Sequence, residues 1–345
     1  MKIFLPLIAV LLLIGIALAG VEWGNLQVLF GVIIPYAALA LFIGGLTYRI
    51  ISWARSPVPF RITLSCGQQK SHPWIKPSTL DNPHSTAGVI GRMALEILTF
   101  RSLFRNTRLE LRKGPKLSYE WEKWLWLGAL VFHWAFLIVL IRHLRFFTAP
   151  VPFFVNALDS ADGFFQVTVP ALYLSSILLV ASATYLFFRR IAVPQVRYIS
   201  LPADYFPLFL ILSLAITGIL MRYFLRVDVA AIKELTIGLA AFKPVVPAGV
   251  SALFYAHLFL VSVLFAYFPF SKLMHLGGIF LSPTRNMAND NRMRRHVNPW
   301  NYPVKVHTYE EYEDEFRDKM QAAGLPLEKE ASGDLKPAGL PSEKE

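Results

Sequence analysis

The stretch from His257 to His275 reads HLFLVSVLFAYFPFSKLMH, an apolar run with a histidine at each end. Upstream, His133 to His143 reads HWAFLIVLIRH, and the two runs together hold four of the chain's eight histidines. Each run predicts a membrane-crossing helix. An ionisable side chain inside a bilayer is costly and normally has a functional partner. Imidazole nitrogen suits haem iron, and two imidazoles fill both axial positions, leaving a centre fit for electron transfer. On one continuous helix His257 and His275 would lie on the same face, about 27 Å apart. His133 and His143 would be about 15 Å apart along the axis and about 80° apart around it. Antiparallel helices then bring His143 to His257 and His133 to His275. The two irons would be separated by roughly 21 Å along the membrane normal, within a hydrocarbon core of about 30 Å. The unequal intervals require a tilt or a kink, which Pro269 is placed to supply. A single intramembrane histidine more often hydrogen-bonds to a neighbouring helix; two facing pairs make iron ligation the stronger reading.

Composition sets the class. The chain has 345 residues, of which 55% are hydrophobic, gathered in long runs. That pattern marks a multi-pass membrane protein. The formal charge of +11 sits mostly in loops beside apolar runs, so anionic lipid headgroups explain it and nucleic acid does not. Cys66 is the single cysteine. No disulfide framework and no iron–sulfur cluster can be built from this chain alone. In a cytoplasmic loop Cys66 is expected to be a reduced, small buried residue.

Four regions follow in order. Residues 1–53 predict two N-terminal spans, about 3–19 and 27–51, with Tyr48, Arg49 and Trp53 as interfacial anchors. Ala17-Leu18-Ala19 resembles a signal-cleavage site, although the first span is read as retained. Residues 54–122 are a polar, basic insertion with a proline-rich first half. Its second half, Val89 to Arg112, predicts an amphipathic helix. Val89, Met93, Ile97, Phe100, Phe104 and Leu111 form the apolar stripe, and Arg101, Arg105, Arg108 and Arg112 the basic one. Such a helix suits an anionic membrane face or a partner protein. Residues 123–280 predict four core spans, about 124–143, 167–188, 206–224 and 250–278. Residues 281–345 form a tail whose end is expected to be disordered. His72, His84, His296 and His307 are read as ordinary polar residues, since no cysteine partners accompany them. Lysine and arginine concentrate in 54–122, 189–205 and the tail. The positive-inside rule then puts both termini in the cytoplasm, with His133 and His275 at the inner side of the membrane.

These features resemble the gamma-subunit family of respiratory nitrate reductase, a di-haem cytochrome b that oxidises quinol. The resemblance rests on histidines ten apart on one helix, eighteen apart on the last, and the run Pro269-Phe270-Ser271-Lys272-Leu273-Met274-His275. It implies an all-α fold with two stacked b haems and the cross-pairing of histidines described above. The extra N-terminal span and the segments Cys66-Gly67-Gln68-Gln69-Lys70, Leu80-Asp81-Asn82-Pro83, Phe100 to Thr107 and Ser282-Pro283-Thr284-Arg285-Asn286 look like the M-type subunits of the DsrMKJOP complexes of sulfate reducers. That likeness implies menaquinol as donor and a cytoplasmic iron–sulfur subunit as acceptor. It also implies a periplasmic multihaem cytochrome c, a second iron–sulfur subunit and a second quinone-interacting membrane subunit as companions, in dissimilatory sulfate or sulfite reduction. On that reading the chain is the redox subunit of a larger menaquinol oxidoreductase in the cytoplasmic membrane, with no complete reaction of its own.

Arg142 beside the outer ligand and Lys272 one turn before His275 are candidate contacts for haem propionates, as against snorkelling to the interface, the stronger reading for Arg145. The quinol is expected at the outer end beside the 225–249 loop. That loop combines Ile232, Leu235, Ile237, Leu239 and Phe242 with Lys233 and Glu234. The alternatives are a heterodisulfide reductase- or hydrogenase-type cytochrome b and a haem-free membrane anchor or transporter. No internal repeat of the transporter kind is visible.

Overall fold

The computed structural model describes residues 2–56, 70, 72–112, 114, 116–164, 171–290 and 307–328. Cys66, His296 and the last seventeen residues lie outside them. Among the described residues the fold is predominantly helical, and six helices are long and apolar enough to cross a membrane. In order, these are α1 (Phe4–Glu22) and α2, a helix over Leu29–Ala54 whose first turn is π-helical. The insertion follows with α3 (Thr86–Thr99), α4 (Arg101–Phe104) and an antiparallel hairpin of β1 (Thr107–Arg112) and β2 (Lys116–Trp121). Next come α5 (Lys123–His143), α6 (Phe153–Asp162), a short pairing of β3 (Gly163–Phe164) with β4 (Leu172–Tyr173), α7 (Leu174–Ala192) and α8 (Pro194–Ile199). Then α9 (Pro202–Ile219) runs into a π-helical end over Leu220–Leu225. The remaining elements are α10 (Val229–Ala240), α11 (Ala252–Tyr267), α12 (His275–Gly278), α13 (Pro283–Asn286) and α14 (Tyr309–Ala322).

The core spans form a row. α5 packs on α7, α7 on α9, α9 on α11 and α11 on α2, while α1 lies across α9 and α11. Gly128 sets the closeness of the first contact: a Cβ there would stand 2.5 Å from the Tyr185 ring. α5, which carries His133 and His143, and α11, which carries His257, do not pack closely on each other. The side chains between them are apolar. Phe136 of α5 packs with the buried Leu210, Leu260 and Leu264 midway along the bundle. α14 belongs to a separate unit, Pro299–Glu345. It opens with a reciprocal cap, in which Thr308 accepts from the Glu311 N–H and the Glu311 carboxylate accepts from the Thr308 N–H.

Four expectations are corrected. The last span is not one helix to residue 278. Pro269 has no N–H to give and crowds the carbonyl one turn back, so α11 ends at Tyr267. A 3-10 turn over Phe268–Phe270, an extended Ser271 and a second 3-10 turn over Lys272–Met274 lead to His275. Arg49 of α2 donates to the Pro269 carbonyl at 3.1 Å and so braces the break. Second, the helix predicted over Val89 to Arg112 stops at Thr99. Phe100 takes left-handed backbone angles (φ 51°, ψ 46°), and Arg108 and Arg112 belong to β1. Arg101 and Arg105 both pair with Asp81. Third, α7 begins at Leu174, later than the predicted start near 167. Fourth, the 144–166 and 189–205 loops contain α6 and α8.

Candidate haem-binding site

The histidines meet in the pairs that antiparallel helices require. The His143 and His257 rings are 6.4 Å apart, centre to centre, and nearly parallel at 11°. The His133 and His275 rings are 5.8 Å apart and crossed at 83°. A metal–imidazole bond is about 2 Å, so an iron held between two imidazoles puts the ring centres roughly 6 Å apart. Both pairs stand near that separation.

The unused nitrogen of each ring strengthens the fit. Nδ1 of His133 donates to the Ala129 carbonyl at 2.7 Å, Nδ1 of His143 to Val139 at 2.7 Å, and Nδ1 of His275 to Lys272 at 2.8 Å. A carbonyl only accepts, so each Nδ1 carries the proton. Nδ1 of His257 lies 2.8 Å from the Thr217 hydroxyl, whose own proton goes to the Ser213 carbonyl at 2.7 Å. That hydroxyl therefore accepts from His257. All four rings are left with Nε2 as the lone-pair nitrogen, the tautomer an axial ligand needs. Among the described residues no three His, Cys, Asp or Glu side chains cluster as a metal-ligand set. Two-histidine sites suit a metal that brings its own equatorial ligands, as haem iron does.

A polar network adjoins the His143–His257 end. Arg142 donates to Asp159 at 3.1 Å, to Asp162 at 2.8 Å and to the Ser175 hydroxyl at 3.2 Å. Asp162 also accepts from the Ser175 backbone N–H at 2.8 Å. The guanidinium groups of Arg142 and Arg222 stand 3.1 and 4.1 Å from the centre of the Tyr173 ring. Burial by itself would raise the Asp159 carboxyl. Hydrogen bonds from Tyr173 and Arg142 and the charges of Arg145 and Arg142 outweigh it and hold that carboxyl below the usual range. Arg142, a candidate propionate contact, thus has two carboxylate partners within the chain. Lys272, the other candidate, pairs with the buried Asp204 at 2.6 Å. Arg145 pairs with Asp159 at 3.2 Å.

The 225–249 segment is helical over α10, and Ile232, Leu235 and Leu239 pack into a core with Phe30 and Tyr255. A cleft at this end lies between α7 and the end of α9. It has a volume of about 340 Å³ and is lined by Leu172, Tyr173, Ser176, Ile177, Ile219, Tyr223 and Phe224. At the opposite end the insertion reaches the site directly: Phe100 sets its ring 4.9 Å from that of His133, at 86°.

Thr217, Asp159, Asp162, Asp204 and the Phe100 contact were not found by sequence reasoning. The polar Thr217 within an apolar span was the one visible signal.

Six apolar spans around two facing histidine pairs describe a membrane cytochrome b. Residues 94–295 match the nitrate reductase gamma subunit family, more than half of the chain, and the protein belongs to that family. It is 49% identical over 280 residues to a protein of Archaeoglobus fulgidus named Hdr-like menaquinol oxidoreductase cytochrome b-like subunit, a match covering 79% of this chain and 83% of the relative. A protein of the same name from Archaeoglobus profundus is 40% identical over 274 residues, covering 77% and 81%.

Proposed function

We propose that this chain is the membrane cytochrome b subunit of a menaquinol-oxidising complex, holding two haems b on His143 with His257 and on His133 with His275. The observation that carries the reading is the set of two ring pairs at 6.4 and 5.8 Å, each ring held through Nδ1 so that Nε2 is free to ligate. The haems would supply one-electron carriers across the bilayer. The sequence-based orientation makes the His143–His257 end external and puts the insertion and both termini in the cytoplasm, where an iron–sulfur subunit would accept electrons. The names of the two Archaeoglobus relatives support menaquinol as the donor. The further companions and the sulfate- or sulfite-reducing role remain part of the proposal, supported by the sequence segments shared with the M-type subunits.

We place the quinol in the cleft between α7 and α9. Ile177, Ile219 and Phe224 offer an apolar bed for the ring, and Tyr173, Ser176 and Tyr223 offer hydroxyls. Tyr173 bonds to Asp159, and Asp159 pairs with Arg145, which is 38% exposed. A proton passed from the quinol through Tyr173 to the Asp159 carboxylate, which is 27% exposed, would leave to water there, while Arg145 holds that carboxylate in place by charge. Ile177→Trp fills the cleft and tests the placement. The substitution should cut reduction of the haems by a menaquinol analogue at least tenfold, while dithionite still reduces both. Unchanged quinol-driven reduction would refute the cleft. A purified complex without a b-type spectrum would refute the haem reading itself.

A further inference from the structure

We propose that Phe100 is a positioning residue that, with Phe132, holds the His133 ring crosswise to His275 and thereby makes this centre electronically distinct from the one at His143 and His257. The proposal rests on the di-haem reading above. Three contacts fix the His133 ring: its Nδ1–H to the Ala129 carbonyl, the Phe132 ring at 5.2 Å and 87°, and the Phe100 ring at 4.9 Å and 86°. Two aromatic rings at right angles to the imidazole leave it little freedom to turn. His143 has a different setting: its neighbour Phe146 is tilted at 59°, and its ring lies within 11° of His257.

Phe100 is held in place from several directions. Its backbone is left-handed (φ 51°), an uncommon state for a bulky residue that persists only when the surroundings impose it. Trp126 and Trp134 of α5 impose it by donating to the Thr99 and Leu98 carbonyls at 2.6 and 3.0 Å, the last turn of α3. Beyond the corner, the Ser102 backbone N–H donates to the buried Glu96 at 3.1 Å. The insertion is thus pinned to the very helix that carries His133.

Ring orientation matters because each imidazole's π orbital, perpendicular to its plane, raises one of two iron d orbitals. Parallel rings raise the same orbital and separate the two levels, which gives a rhombic low-spin ferric signal. Crossed rings raise one each and leave the levels nearly equal, which gives a strongly anisotropic signal with a large maximum g value. The smaller splitting also stabilises the oxidised state less, so the potential is higher. These are effects of residues around the ligand on ligand orientation.

The test is low-temperature electron paramagnetic resonance with redox titration on the haem-loaded protein. The wild type should show one rhombic and one strongly anisotropic signal, the latter from the higher-potential haem and lost in His275→Ala. Phe100→Gly removes the ring while easing the left-handed backbone, so folding is not the obstacle. It should move the anisotropic signal toward the rhombic form and lower that haem's midpoint, leaving the other haem unchanged. Phe100→Tyr should restore both. Two signals of one class in the wild type would overturn the crossed geometry. A Phe100→Gly spectrum identical to wild type would overturn the positioning role. Either result would leave the visible di-haem spectrum, and with it the proposed function, intact.

Discussion

Asp162 is the place where a single atom group should matter most to stability. Its residue is 9% exposed, and its carboxylate accepts from Arg142 at 2.8 Å and from the Ser175 N–H and hydroxyl at 2.8 and 2.5 Å. Asp162→Ala leaves Arg142, 11% exposed, with Asp159 as its one remaining carboxylate, and strips the Ser175 N–H of its acceptor. Breaking a buried ion pair costs about 3–5 kcal/mol, and an orphaned buried donor about 1–3 kcal/mol. The surviving Asp159 contact puts the total near the lower end, about 3–4 kcal/mol. Asp162→Asn keeps hydrogen-bonding capacity and loses the charge, so about half of that is expected. Lys272→Ala is the control. Lys272 is 73% exposed although its partner Asp204 is buried, so removing it should cost under about 1 kcal/mol. Denaturant unfolding in detergent, followed by helical signal and by haem absorbance, reads all three. Since Arg142 adjoins His143, the Asp162→Ala variant should also lose the outer haem first. An Asp162→Ala protein within about 0.5 kcal/mol of wild type would refute the assigned role of the network.

Pro269→Ala should let α11 run on past Tyr267, carry His275 off the His133 ring and lose or shift the inner haem alone; redox difference spectra check this. Asp81 is held far below the usual carboxylate range, first by the Arg101 hydrogen bond, against the effect of burial, with Arg105 and both charges adding to it. A carboxyl lowered in the folded state stabilises fully above its unfolded value, about pH 3.9, and the effect fades as pH falls through the folded value. The α3–α4 corner should therefore resist proteolysis unchanged from pH 7 to about pH 5. Asp81→Asn should open it to cleavage already at neutral pH.

The spans were legible because apolar runs of membrane length are a local signal, and the neighbouring of the histidine rings followed from costly polar residues at both ends of two antiparallel spans, although the last span is broken before His275. What was not legible depended on tertiary context or on ambiguous periods. Arg101, Arg105, Arg108 and Arg112 fit a helical stripe, yet from Arg108 to Arg112 polar and apolar residues also alternate, and Thr107–Arg112 forms a strand. The earlier break between α3 and α4 is set by Phe100, whose left-handed turn is imposed by tryptophans on another helix. Pro269 announced a kink, but the end of the helix there is braced by a contact no local rule shows, from Arg49 far along the chain to the Pro269 carbonyl. α6 was hidden because its ten residues mix Val155 and Leu158 with Asp159 and Asp162. Those acids make sense only once Arg142 and Arg145 stand opposite them.

The histidine pairing is tested most directly by four single substitutions, His133→Ala, His143→Ala, His257→Ala and His275→Ala, each read by low-temperature redox difference spectra of the purified complex. Two b-type components are predicted in the wild type. His143→Ala and His257→Ala should abolish the same one, and His133→Ala and His275→Ala the other. Loss of a shared component by His143→Ala and His275→Ala would contradict the pairing, and four variants with unaltered spectra would contradict histidine ligation altogether.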